Sequence, residues 1–245
     1  MSFPPSAPPL PDVERALVIV AHPDDVDFGA AGTVARWVSE GIDVSYCLVT
    51  RGETGGFDDT PRDQVPGLRE AEQRAAAAAV GVTELEFLTG YADGRVSVTY
   101  DLRRDLSRVI RRRRPDRLLT QSPLRRWDRV GIGHPDHIAT GEAAWCAVYP
   151  DARNPFAHPE LLADEGLEPW TVREVWFTGG PDPDHFVDIT ATFPQKLMAL
   201  EAHTSQTSHM DDLEGMLRGF LSANAVAAGL PAGHLAEGFT VLRTE

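Results

Sequence analysis

Cysteine is scarce in this chain: Cys47 and Cys146 are the only two in 245 residues, and each sits in apolar sequence. A disulfide framework is thereby excluded, and the expectation is a reducing, cytoplasmic compartment in which both thiols act as small hydrophobes. No apolar run of about 18 residues occurs. The opening Ser2-Phe3-Pro4-Pro5-Ser6 has neither the basic nor the apolar region of a secretory leader. No membrane partner is expected. Basic residues number 23 against 37 acids, for a net charge of -14, and such a surface repels phosphate backbones, so no nucleic acid is expected either. The one basic run, Arg111 to Arg114, closes an amphipathic helix pattern, where cations complement the partial negative charge of the helix end. It reads as a solvated terminus.

What the chain does carry is an alternation of apolar strands and helices. Ala16 to Ala21 is an unbroken apolar run, which fits a strand covered on both faces and therefore a parallel sheet with helices on either side. Similar runs follow at Val44 to Val49, Glu84 to Leu88 and Arg117 to Thr120, with further strands expected at Trp170 to Phe177 and His185 to Ile189. Between them, Leu102, Leu106, Val109 and Ile110 mark one face of a helix, and an alanine-rich helix spans about Gly67 to Val80. The fold class expected is α/β, a mostly parallel central sheet flanked by helices. A proline-rich, flexible lead-in is expected over 1–11 and one domain over 12–245. Asp58 to Gly67 reads as a mobile loop and a candidate lid. His158, His185, His209 and His234 fall in segments expected to be loops or surface and read as solvated.

Polar residues gather where strands end. The first apolar run stops at His22-Pro23-Asp24-Asp25, and the motif returns as His134-Pro135-Asp136-His137. Proline suits the first turn of a helix, so each copy can start one, with its first and fourth residues a turn apart and facing the same point. A lone His-Pro-Asp is most simply a helix start; two copies after strand-like segments favour a metal site. An open divalent site needs about three nitrogen and oxygen ligands, and His22, Asp25 and His137 are the best triplet. Such a site lowers the pKa of a bound water, whose proton Asp24 could take as general base. His134 would stabilise an oxyanion or act as acid, with Asp136 orienting it.

These residues also resemble a family. Val20 to Asp25 with Gly29 and Gly32, Thr50-Arg51-Gly52-Glu53, Arg69-Glu70, Gly133 to His137, and Lys196 to Leu200 followed by Ala202 to Gln206 are similar to the PIG-L/LmbE-like zinc de-N-acetylases. The resemblance implies an LmbE-like, Rossmann-related fold that removes acetyl from an N-acetylglucosamine-type amine. It implies Zn2+, with Fe2+ an alternative, held by His22, Asp25 and His137, and catalysis by Asp24, His134 and Asp136. It places Arg69, Glu53 and Asp93 at the substrate, and gives His203 a packing or supporting role. Ile132 stands where relatives acting on inositol-linked glucosamine have tyrosine, so a phenol that could polarise the carbonyl is missing.

The partner expected is a small amino-sugar or conjugate, and a homo-oligomer is compatible with the sequence. Two other readings stay open: amidase action on thiol conjugates, and a non-catalytic, metal-containing sugar-binding protein. The loops at 54–67, 122–132 and 150–169 would set substrate choice.

Overall fold

The computed structural model of the chain describes residues 4–57 and 59–245. Strands β1 (Arg15–Val20), β2 (Asp43–Leu48), β3 (Glu84–Phe87), β4 (Arg117–Gln121) and β5 (Glu174–Thr178) are parallel neighbours, whereas β6 (His185–Asp188) and β7 (Ala236–Arg243) pair antiparallel. They form one sheet in the order β3-β2-β1-β4-β5-β7-β6. This is an α/β fold with a mostly parallel sheet, and β1 at its heart explains the unbroken apolar run.

The period of a strand divides that run between two cores. Ala16, Val18 and Val20 pack under α1 (Asp25–Ser39), α2 (Val65–Ala79), α6 (Phe193–Ala202) and α8 (Leu213–Ala227). Leu17 and Ile19 pack on the opposite face, against α3 (Tyr100–Arg113) and α4 (Pro135–Cys146). Each fully buried Val, Leu or Ile is worth about 1.5–3 kcal/mol, so a polar residue anywhere from Ala16 to Val20 would cost one core or the other. Gly32 serves packing: a Cβ there would stand 2.6 Å from Ile189 Cδ1.

Several expectations are corrected. Arg111 is not solvated but buried, because its guanidinium donates to the carbonyls of Asp151, Ala152, Asn154 and Ala157 in a proline-containing segment. Arg112 and Arg113 instead pair with Glu86 and Glu84 on β3. His158 is fully enclosed, with left-handed backbone (φ 49°), its ring 4.4 Å from that of Tyr100 and its Nε2 3.4 Å from the Asp151 carboxylate. His185 packs on Trp176, His209 stacks on Phe57 at 4.0 Å, and His234 Nδ1 lies 2.7 Å from Asp188.

The lead-in is extended but pinned: Ala7 N–H donates to Val241 O at 2.9 Å, and Leu10 N–H to Glu174 at 2.8 Å. The expected strand from Trp170 begins only at Glu174, since the Trp170 backbone N–H donates to Ala152 O at 2.9 Å, outside the sheet. Within the expected lid, α2 already begins at Val65, and Asp58 lies outside the described residues. Cys47 is buried and Cys146 only partly so. Among the described residues, no helix is long and apolar enough to cross a membrane.

Candidate active site

From β1 the chain winds outward through β2 and β3, and from β4 outward through β5, so the strand order reverses between β1 and β4. Loops leaving the carboxyl ends of two such strands diverge and leave a crevice. His22 to Asp25 follow β1, and the segment leading to His134 follows β4. Both motifs therefore meet at this crevice although they are distant in sequence.

Each motif starts a helix, in different registers. In the second, His134 is the residue before α4 and Pro135 the first within it; the His134 Nδ1 accepts the Asp136 N–H at 3.2 Å. In the first, α1 begins at Asp25, and Asp24, the residue before it, adopts a left-handed φ of 79°. Its carbonyl accepts from Asp27 and Phe28 N–H, both at 2.9 Å, while its carboxylate leaves the helix end and accepts from Arg69 at 2.8 Å.

The three imidazoles of His22, His134 and His137 form a near-equilateral triangle, with ring centroids 5.1, 5.3 and 5.2 Å apart. Asp25 lies between two of them, 3.3 Å from His22 Nδ1 and 2.9 Å from His137 Nε2. The other edge of His22 faces Asp93 at 3.0 Å and Asp136 at 3.1 Å. Among the described residues, two sets bring their ligand atoms within 4.8 Å of one another: His22, His134 and His137, and His22, Asp93 and Asp136.

Electrostatics follow from this crowding. Burial disfavours charge on His22, yet Asp25, Asp136 and Asp93 outweigh it and push its pKa up to about 12. Burial works against ionisation of Asp25 too, but His137 and His22 hold it well below the usual carboxylate range. Burial lifts Asp24 to about 6 against the opposing pull of Arg69. His134 goes the other way, kept neutral by burial and by His22 and His137 beside it. The imidazoles and carboxylates at one crevice match the donors a divalent cation selects, and the negative charge of the carboxylates gathered around His22 is what a cation would neutralise.

The remaining candidates are placed as follows. Arg69 is 4% exposed, and its guanidinium donates to Gly52 O, Pro23 O and the Asp24 carboxylate at 2.9, 2.8 and 2.8 Å, so it faces Asp24. Gly52 allows this by its φ of 63°, since a Cβ there would lie 1.9 Å from the guanidinium. Asp93 accepts from Thr54 N–H and Oγ1 as well as meeting His22, and Glu53 accepts the Asp93 N–H at 2.8 Å. The Asp136 carboxylate does not reach the His134 ring as expected. It accepts from Gly94 and Val96 N–H and from His22, because α4 aims it across the crevice. Ile132 packs on Gly179.

A layer behind Asp24 was missed by sequence reasoning. Gln73 accepts the Asp24 N–H and donates to Asp27, which His203 also contacts, at 2.8, 2.8 and 2.7 Å. The His203 motif was the one signal that hinted at it.

Several known proteins similar to this chain are named deacetylases. The diacetylchitobiose deacetylase of Thermococcus kodakarensis is 32% identical over 231 residues, covering 92% of this chain and 82% of its own. The 1D-myo-inositol 2-acetamido-2-deoxy-alpha-D-glucopyranoside deacetylase of Rhodococcus erythropolis is 35% identical over 193 residues, 66% of this chain and 62% of its own. The solved N,N'-diacetylchitobiose deacetylase of Pyrococcus horikoshii superposes with a TM-score of 0.85 at 27% identity, covering 95% of this chain and 85% of that one. A 4-carboxy-2-hydroxymuconate hydratase from Pseudomonas putida shares the fold alone, at TM-score 0.73 and 21% identity. The family model described as PIG-L, GlcNAc-PI de-N-acetylase, matches residues 17–148, which include both His-Pro-Asp motifs, and the chain belongs to that family.

Proposed function

We propose that the protein is a metal-dependent hydrolase that removes the acetyl group from an N-acetylglucosamine-type amine or a related small conjugate. The observation that carries this reading is the meeting of both His-Pro-Asp motifs at the β1/β4 crevice, with Asp24 at its wall. The relatives named deacetylases supply the substrate class.

His22, Asp25 and His137 would hold the metal, Zn2+ in this reading, with Fe2+ as the alternative. Asp25 already bridges the two imidazoles. Such an ion lowers the pKa of a bound water toward neutrality and polarises a carbonyl. Asp24 takes the proton of the attacking water: its pKa of about 6 leaves it ionised at neutral pH yet basic enough to accept. His134 receives a backbone N–H on Nδ1, so its own proton sits on Nε2, free to donate to the oxyanion as the carbonyl is attacked. With the C–N bond breaking, the departing amine takes a proton from Asp24. Ile132 has no hydroxyl, so polarisation by a side-chain donor falls to His134.

Arg69 acts here on the base and not on the sugar. Glu53 and Asp93 remain the substrate-facing candidates, with Asp93 shared between that role and support of His22.

The test is acetate release by the metal-loaded protein from N-acetylglucosamine, diacetylchitobiose and inositol-linked and malate-linked N-acetylglucosaminides, beside a bulkier thiol-conjugate amide. Turnover of an acetylated amino sugar supports the reading. Turnover of the bulky amide alone makes the protein an amidase, and no turnover at all makes it a binding protein.

A further inference from the structure

We propose that Gln73 is a positioning residue that holds Asp24 in its left-handed conformation, and that the buried Asp27–His203 pair dictates which way the Gln73 amide points. The inference rests on the reading of Asp24 as the base. It concerns residues that no substrate can reach, since Asp27, Gln73 and His203 are each fully enclosed.

Asp24 adopts a φ of 79°, a region that residues with a Cβ avoid unless their surroundings hold them there. α2 provides the hold twice, from residues one turn apart. Arg69 fixes the Asp24 carboxylate and the Pro23 carbonyl, while Gln73 Oε1 accepts the Asp24 N–H at 2.8 Å. With its own carbonyl engaged by Asp27 and Phe28 N–H, the Asp24 residue is fixed at side chain, N–H and C=O together.

A glutamine amide can present oxygen or nitrogen to either side, and only one choice suits a backbone N–H. Asp27 makes that choice. As a carboxylate it can only accept, so it draws Gln73 Nε2 to 2.8 Å and leaves Oε1 for Asp24. The same Asp27 oxygen meets His203 Nε2 at 2.7 Å, which locks the carboxylate in turn. Among the described residues, neither Asp27 Oδ1 nor His203 Nδ1 has another partner, so these groups serve this chain of contacts only. In a site closed to water, a misdirected amide would find no substitute partner.

The arrangement predicts a rescue. Asp27→Asn frees the amide to turn, and Gln73→Glu sets two carboxylates against each other, so each alone weakens the hold. Together they exchange the groups: the amide nitrogen now at position 27 donates to the carboxylate now at position 73, whose other oxygen accepts the Asp24 N–H. The same amide nitrogen then faces His203, whose Nε2 accepts its second proton in the neutral Nδ1–H tautomer.

The experiment measures kcat, KM, bound metal and amide hydrogen exchange at Asp24 in wild type, Q73L, D27N, Q73E and D27N/Q73E. Q73L is expected to lower kcat about 100-fold, as a small misplacement of a reacting group does, with KM and metal content within about twofold and the Asp24 amide exchanging fast. D27N/Q73E is expected to regain protection at Asp24 and to be at least about tenfold faster than the slower single variant. Overturning results are a protected Asp24 amide or wild-type kcat in Q73L, or a double variant no better than its slower parent. If Q73L does not fold, the Q73E and D27N/Q73E comparison decides alone. An inactive wild type would overturn the functional reading only, because amide exchange still tests the positioning.

Discussion

Lys196 is the only lysine in the chain, and it is fully enclosed. All three of its ammonium protons are placed, on Asp27 O at 2.7 Å, Phe28 O at 2.8 Å and Glu237 at 2.8 Å. Glu237 in turn accepts the Gly32 and Thr33 N–H groups at 3.1 and 2.7 Å. The pair thus clamps α1, which carries Asp25, to α6 and β7. Lys196→Met keeps most of the stem's volume and leaves the Glu237 carboxylate buried without its counter-charge. Breaking a buried pair in this way costs about 3–5 kcal/mol. At about 2–4 °C per kcal/mol for a chain of this size, Tm should fall by about 6–20 °C. Adding Glu237→Gln removes the orphaned charge but sets its amide nitrogen against the Gly32 or Thr33 N–H, so no net recovery is expected. Thermal and urea unfolding followed by circular dichroism would read this, with chelator present throughout so that metal binding does not shift the baseline. A fall of less than about 2 °C for K196M, well under that range, would refute the clamp.

Asp24→Asn should keep its metal and lose about 10²–10⁴-fold in turnover, whereas His137→Ala should lose the metal itself; elemental analysis beside acetate release separates the two, and the reverse pattern refutes the assignment. Asp93→Asn should weaken metal affinity about 10–100-fold if its main work is to orient His22, while a rise in KM with unchanged metal affinity would mark it as a sugar contact. Burial opposes charging of His203, but its hydrogen bond to Asp27 and the charges of Asp27, Asp24 and Glu72 raise its pKa above the ordinary 6.5. The stability it contributes is complete below about pH 6.5 and lost as pH rises through the folded value, so the gap in urea midpoint between wild type and H203Q should narrow from about pH 6 to about pH 9. A gap that widens would show that His203 is not charged in the folded protein.

The sheet and the helices on it were legible because β1 is covered on both faces and α3 on one, and each leaves its own period in the sequence. The motifs were legible because their donors are contiguous. Arg111 was not, since it looks like Arg112 to Arg114 beside it; what separates it is the carbonyl-rich segment from Asp151 to Ala157 folding over one flank of α3, a contact with no local mark. Gln73 was hidden for the same reason. It sits just before an alanine run and matters only because that face of α2 meets the Pro23–Asp24 peptide, which the helix pattern does not reveal.

The two His-Pro-Asp motifs look equivalent in sequence, and their helix registers make them different. Because His134 is the residue before α4, its ring folds back to cap its own helix, accepts a backbone N–H on Nδ1, and stays neutral with Nε2 free to donate. Because α1 starts three residues after His22, that ring is spared from capping and is gripped by Asp25, Asp93 and Asp136. In the proposed mechanism one tripeptide therefore supplies a donor to an oxyanion in one place and a metal ligand in the other. The difference lies in where the helix begins. Moving the start of α1 back to His22 would turn that ring toward capping, and it would also release Asp24 from the left-handed turn that sets its carboxylate against Arg69.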